Sequence, residues 1–364
     1  MNAFTQEAIA QPPRSGAAGA AQFAGWDSRK YNYYKPKGRH ATHYEDVTVD
    51  VQPDPKRYLL QDFIISFPDG TPTYSETWTA AKSSDWHQFR AVDEEWERTH
   101  YQRQSTICGM IGSVVENARR AGAPKRLDRT WVKVLEQYLG AYKHAEFGLG
   151  MATMHAQRYG YTQMINSAIL TNSSYKLRFA QDLTLYLAEL ALDLPEINLD
   201  LGKQHWLENP AWQGTREAVE AINGTSDYLE KYFAVNLVFE PLVAELVRSG
   251  FFMQVAAAQG DFTTPTVISA AEGDYQRNLA NTAELVHILS QDAEHGAHNR
   301  ALFNRWLAEH GKRALAAARQ LQPMWSLPHH KVAQFPEALN RALERIRSIT
   351  GELGLELPAE LKAA

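Results

Sequence analysis

The sequence predicts a mainly α fold, a helical bundle behind a long extended N-terminal arm. Three observations carry this. Trp131, Leu135, Tyr138, Tyr142, Ala145, Leu149 and Ala152 recur at spacings of three and four, which is one apolar helix face. From about residue 86 onward, long stretches with few breakers leave room for at least four long helices. Residues 26–85 show no helical period, yet they are rich in aromatic and apolar side chains.

Taken in chain order, residues 1–25 are Ala-, Gly-, Gln- and Pro-rich and read as a flexible start. A basic, aromatic run follows from Lys30 to Arg39. Alternation at Val47, Val49 and Val51 suggests a short extended piece, stopped by Pro53 and Pro55. Phe63-Ile64-Ile65-Ser66-Phe67, closed by Pro68-Asp69-Gly70, suggests another. So much apolar surface without periodic structure fits an ordered arm lying on another subunit, with a compact β-rich subdomain as the alternative. Trp86 to Arg120 reads as helix up to Gly122-Ala123-Pro124. Asp128-Arg129-Thr130 caps a long helix from Trp131. Thr162 to Leu194 is one or two helices ending before Pro195. Thr225-Ser226-Asp227 starts a helix to Ala258 with a kink at Pro241. After Gly260 to Pro265 a long helix spans Thr266 to Glu309, and a last one Pro336 to Ile349. The predicted division is an arm at 1–85, a helical domain at 86–350 and a C-terminal tail at 351–364.

Composition excludes several functions. With 37 Lys and Arg against 42 Asp and Glu the net charge is −5, so no basic surface calls for nucleic acid or an anionic membrane. No apolar run reaches the roughly 20 residues that span a bilayer. The N-terminus has no charged start or apolar core, so no secretory signal is expected. The single cysteine, Cys108, cannot form an intramolecular disulfide, which fits the cytoplasm, and its apolar neighbours suggest a small buried hydrophobe. Nine Trp and sixteen Tyr, several outside the helical stretches, suit surfaces buried between chains. There is no Gly-x-Ser-x-Gly, no phosphate-binding glycine loop and no dinucleotide fingerprint.

One constellation is partly present. A two-iron carboxylate site in a helical bundle takes one Glu from each of two helices and Glu-x-x-His from each of two more, because residues three apart share a face. Ala141-Tyr142-Lys143-His144 has the histidine, but Ala141 sits at the carboxylate position. Asp292-Ala293-Glu294-His295 keeps an acidic version. Glu116 precedes the first fragment, and Glu240 and Glu245 precede the second. The ligand count is incomplete, so Asp292 and His295 read as polar packing or interface residues rather than ligands. Glu294, His295 and His298, with His287, read as a solvated acidic–histidine face rather than a zinc site. His329-His330, after a proline-bounded loop, reads as an interface element. No catalytic, cofactor-binding or metal-binding residue is assigned in this chain. Two other readings stay open: an iron oxygenase in its own right using Asp292, His295 and Glu240, and an unrelated helical scaffold.

Specific strings resemble a known family. Tyr44 to Pro55, Glu76 to Trp86, Asp93-Glu94-Glu95-Trp96, Ala145 to Leu149 and Lys176 to Leu183 resemble the small (β) hydroxylase subunits of soluble diiron multicomponent monooxygenases, propane monooxygenases among them. The resemblance spans about residues 26–345. It implies a ferritin-like bundle and a non-catalytic role beside a large (α) subunit that holds the diiron centre. It further implies a second copy of the pair, a coupling protein, and a reductase bringing electrons from NADH through FAD and an iron–sulfur cluster. The substrate it implies is a small hydrocarbon such as propane.

Overall fold

The computed structural model describes residues 40–49 and 75–362. The readings for 1–25, for Lys30 to Arg39 and for Phe63 to Phe67 lie outside them. Helix α1 is Glu97–Arg120. Helix α2 is built from Arg129–Val134, a π-helical turn at Leu135–Leu139, and Gly140–Ala156. Helix α3 is Gln163–Asp193. The short α4, Leu201–Glu208, and α5, Pro210–Gly224, follow. Helix α6 begins at Tyr228–Phe233, widens into π geometry over Ala234–Ala244 and Arg248–Phe252, and ends at Ala256–Gln259. Then come α7 (Thr263–Ser269), α8 (Glu272–Ser290), α9 (Gly296–Gln320), α10 (Phe335–Glu352) and α11 (Ala359–Lys362). No strand occurs among the described residues.

The caps are those the sequence advertises. Asp128 accepts from the Thr130 and Trp131 amides, and Thr162 from that of Ile165. Asp227 accepts from Leu229 and Glu230. Pro241 falls inside a π-helical segment, where the i→i+4 ladder is already broken.

Helices α2, α3, α8 and α6 form a closed ring of four, each packed on the next. Close approach is bought with glycine at two places. A Cβ on Gly150 of α2 would lie 2.8 Å from Leu177 of α3. Where α2 crosses α4, a Cβ on Gly202 would lie 2.6 Å from the Gly140 backbone. Helices α5, α9 and α10 cover the α6 side, and α1 lies on α3.

Four expectations need correction. The helix read from Trp86 begins only at Glu97, because Asp85 caps a single 3-10 turn at Trp86–Gln88 and the chain runs irregularly from there to Trp96. Val47 and Val49 are not in an extended piece: Glu45–Val49 is a π-helical turn. Thr42 and Glu45 exchange backbone–side-chain hydrogen bonds that start it, and Tyr44 and Val49 are buried in the core. The long helix expected over Thr266 to Glu309 is three helices. Asp292 accepts from the Glu294 and His295 amides in the turn that precedes α9, so Asp292-x-x-His295 spans a helix break. Cys108 is exposed, because α1 buries only one narrow face. Its thiol lies 3.9 Å from Asp182, and burial together with that carboxylate pushes its pKa up.

The described end of the N-terminal segment is tied to the chain's own helix ends. Asp227 accepts from the Thr79 hydroxyl (3.0 Å) and the Ala80 amide (2.7 Å). Asn299 accepts from the Lys82 amide and donates to its carbonyl, at 3.0 and 2.7 Å. Asp292 takes the Ser84 amide and hydroxyl, at 2.6 and 2.8 Å. Trp78 packs on Tyr159, with ring centroids 4.6 Å apart. Truncating Asp292 or Asn299 to Ala is expected to destabilise the fold by about 1–2 kcal/mol each, the value of a lost cap or charged hydrogen bond. Amide hydrogen exchange should show the gain in exchange confined to the Ala80 to Ser84 stretch and the start of α9.

Candidate functional site

The most unusual chemistry lies at the middle of the four-helix ring. Glu146 of α2, Lys176 of α3, and Glu240 and Arg248 of α6 have fully buried side chains. Lys176 Nζ donates to Glu146 at 2.7 Å and also to Glu240. Arg248 donates to Glu240 at 2.8 Å and to Glu146 at 3.3 Å. Two carboxylates and two cations thus alternate in a closed square of zero net charge. Tyr142 donates to Glu146 and accepts from Arg248 at 3.1 Å. Tyr175 lies 3.4 Å from Glu240, and the Arg248 guanidinium sits 5.5 Å from the Tyr275 ring centre. Glu272, partly exposed at the start of α8, accepts a hydrogen bond from Arg248 Nε at 2.8 Å. Beside the square lies a neutral polar layer: Asn172 donates to Asn236, and Asn236 to Thr282, both at 3.0 Å.

Each group is held by the others. Burial alone would raise the Glu240 pKa, but Arg248 and Lys176 outweigh it and hold the carboxyl below its ordinary value. Burial would lower the Arg248 pKa, but Glu240 and its neighbours push it well up. Burial and the Glu146 charge keep Tyr142 protonated. The site is electrostatically closed: each buried charge is matched by opposite charges on its neighbours.

These residues do not fit a pair of iron ions. A two-iron bundle directs carboxylates and imidazoles inward from four helices. Here two of the inward positions carry cations, which already neutralise the carboxylates, and no imidazole reaches the square. Among the described residues no group of three or more His, Cys, Asp or Glu is placed to hold a metal ion.

The residues singled out in the sequence are scattered. Glu240 is at the centre. Ala141 is buried, but His144 faces away and stacks on Trp206 of α4, with ring centroids 6.3 Å apart. Glu146, not position 141, is the inward carboxylate of α2. Glu116 pairs with Arg120 on the exposed face of α1. Glu245 lies 3.4 Å from Arg345. Asp292 holds Ser84, and His298 lies 2.9 Å from the Ala80 carbonyl oxygen. His295 and Glu294 sit 3.8 Å apart at the surface, and His287 is half-buried on α8. His329 and His330 stack on each other, with His329 3.5 Å from Asp128. Glu146, Lys176 and Arg248 were missed. Their signal was available, since each interrupts an otherwise apolar helix face with a charge.

Lys176→Met leaves two buried carboxylates sharing one cation and is expected to cost about 3–5 kcal/mol. Adding Glu240→Gln should recover much of that loss, since it removes the uncompensated charge, and denaturant unfolding of both variants checks it. A second expectation concerns pH. Burial, with Lys143 and Lys203 nearby, pushes the His144 pKa down from 6.5 to about 4. The unfolded chain therefore takes up a proton below pH 6.5 that the folded chain refuses, so stability falls from there to about pH 4. Glu240 is held below its ordinary 4.5, so its contribution is present above that value and lost as pH falls through the depressed pKa. Thermal midpoints of His144→Gln should lose the upper part of this pH dependence and keep the lower.

Comparison with known proteins agrees with this architecture. Residues 64–293 match the methane/phenol/alkene hydroxylase family. The chain is 43% identical over 345 residues to the propane 2-monooxygenase hydroxylase small subunit of Gordonia sp. (strain TY-5), covering 94% of each. It is 24% identical over 334 residues to the methane monooxygenase component A beta chain of Methylosinus trichosporium, covering 88% of this chain and 85% of that one. Its fold is shared with phenol hydroxylase from Pseudomonas sp. OX1, with a TM-score of 0.71 at 16% identity over 87% of this chain and 91% of that one. The helical ring is thus the ferritin-like bundle of these hydroxylases, and the chain belongs to the methane/phenol/alkene hydroxylase family as one of its hydroxylase small subunits.

Proposed function

We propose that this chain is the non-catalytic small subunit of a soluble diiron monooxygenase hydroxylase. A large partner subunit carries the two irons and inserts one oxygen atom of O2 into a small hydrocarbon, propane being the substrate named for relatives such as that of Gordonia. Electrons come from NADH through a reductase with FAD and an iron–sulfur cluster, and a coupling protein completes the system. The observation that carries the non-catalytic role is the charge square. Lys176 and Arg248 occupy inward positions of the bundle and leave Glu146 and Glu240 no capacity to ligate iron. What the chain supplies is a rigid helical body against which the large subunit assembles. The N-terminal segment extends that contact as an arm on partner subunits.

Purified alone, the chain is expected to carry no stoichiometric iron and to oxidise no hydrocarbon. Co-expressed with its large subunit it should co-purify as a stable complex that turns over when reductase and coupling protein are added. Two irons per isolated chain with oxygen-dependent turnover would sink the reading. Deleting residues 1–39, which keeps the buried Tyr44 and Val49 in place, should weaken association with the large subunit more than it lowers the thermal midpoint.

A further inference from the structure

Helix α2 carries the charge square inward and an apolar row outward. Phe147, Met151 and Met154 follow at spacings of four and three, so they share one face. They are 53%, 41% and 37% exposed. Phenylalanine and methionine are the side chains that interface cores favour, and methionine adapts to irregular partners. The row is flanked by cations at both ends. At its start, Lys143 and Lys203 both depress the pKa of His144, with Asp200 the carboxylate acting on Lys143. At its finish Arg158 is exposed, while Lys231, itself buried, donates to the Asn223 carbonyl with its Nζ 3.4 Å from the His155 ring. The two imidazoles are eleven residues apart, which on a helix is about 16 Å.

A second copy of this chain does not suit this face. Two α2 helices paired about a two-fold axis would set cationic ends against cationic ends. The complementary object is a helix with its own apolar row and carboxylates roughly 16 Å apart at the two ends, laid along α2.

We propose that the Phe147, Met151 and Met154 face of α2 is a docking surface for such a helix of the hydroxylase large subunit. The inference rests on the reading of this chain as a small subunit. It adds the surface and the charge pattern of the partner. The arrangement also puts the interface on the helix that holds Glu146, so the charge square stiffens the platform the partner meets.

The test measures binding of the full-length chain to the purified large subunit. Phe147→Glu with Met151→Glu should weaken binding at least about tenfold. Phe262→Glu, a like change at a residue 75% exposed elsewhere, should leave it unchanged. Lys203→Glu should slow association and flatten its dependence on salt. Circular dichroism and thermal midpoints confirm that each variant is folded, and the milder pair Met151→Gln with Met154→Gln replaces the double glutamate if that variant is not. Undiminished binding by the α2 variants, or an equal loss in Phe262→Glu, overturns the surface. Failure of the unaltered chain to bind the large subunit overturns the small-subunit reading itself, and is distinct because it appears before any substitution.

Discussion

Four buried charges hold this structure at its centre. Isolated carboxylate or ammonium groups taken out of water cost far more than a folded domain can spare. Glu146, Lys176, Glu240 and Arg248 can therefore be buried only together, each facing two opposite charges. That condition fixes the relative position of α2, α3 and α6 more tightly than apolar packing does, since leucine against leucine tolerates small shifts and a charge square does not. The π-helical turns of α6 belong to the same constraint. They bring Glu240 and Arg248, eight residues apart, to the same side of one helix.

The square also sets this bundle apart from a two-iron one. In a two-iron bundle the cations are ions and the protein contributes anions. Here the protein contributes both signs, and the tyrosines around them supply further hydrogen bonds and ring faces. The centre becomes a structural element, held by its own ion pairs. Around it, helix ends take on a second task. Asp227 caps α6 and Asp292 holds the turn before α9 with one carboxylate oxygen, and each holds the incoming chain with the other, so the path of residues 79–84 is coupled to the positions of α6 and α9.

Much of this was legible along the chain. The stripe from Trp131 to Ala152 gave α2, and Asp128, Thr162 and Asp227 gave the starts of α2, α3 and α6, because period and caps are local properties. The second break in the long helix expected across Thr266 to Glu309 has an equally local reason: Asp292 satisfies amides two and three residues ahead in a turn before α9. The turn at Glu45–Val49 was announced by Thr42 and Glu45, but the alternating valines masked it. The spacing of His144 points to Ala141 as the carboxylate position of α2, whereas the inward carboxylate of that helix is Glu146. A pattern of spacings says which residues share a face, not which of two adjacent faces meets the centre.

By itself, then, the sequence determined most of the helix starts, the family resemblance and the incompleteness of the two-iron motif, all of which depend on residues close together in the chain. Only the tertiary structure decided what fills the centre of the bundle. Lys176 meets Glu146 across 30 residues and Glu240 across 64, and Arg248 reaches Glu146 across 102. No local rule pairs charges at such separations. They are paired because packing four helices into a ring removes water from all of them at once, and the only arrangement that survives that removal is one in which the charges neutralise each other.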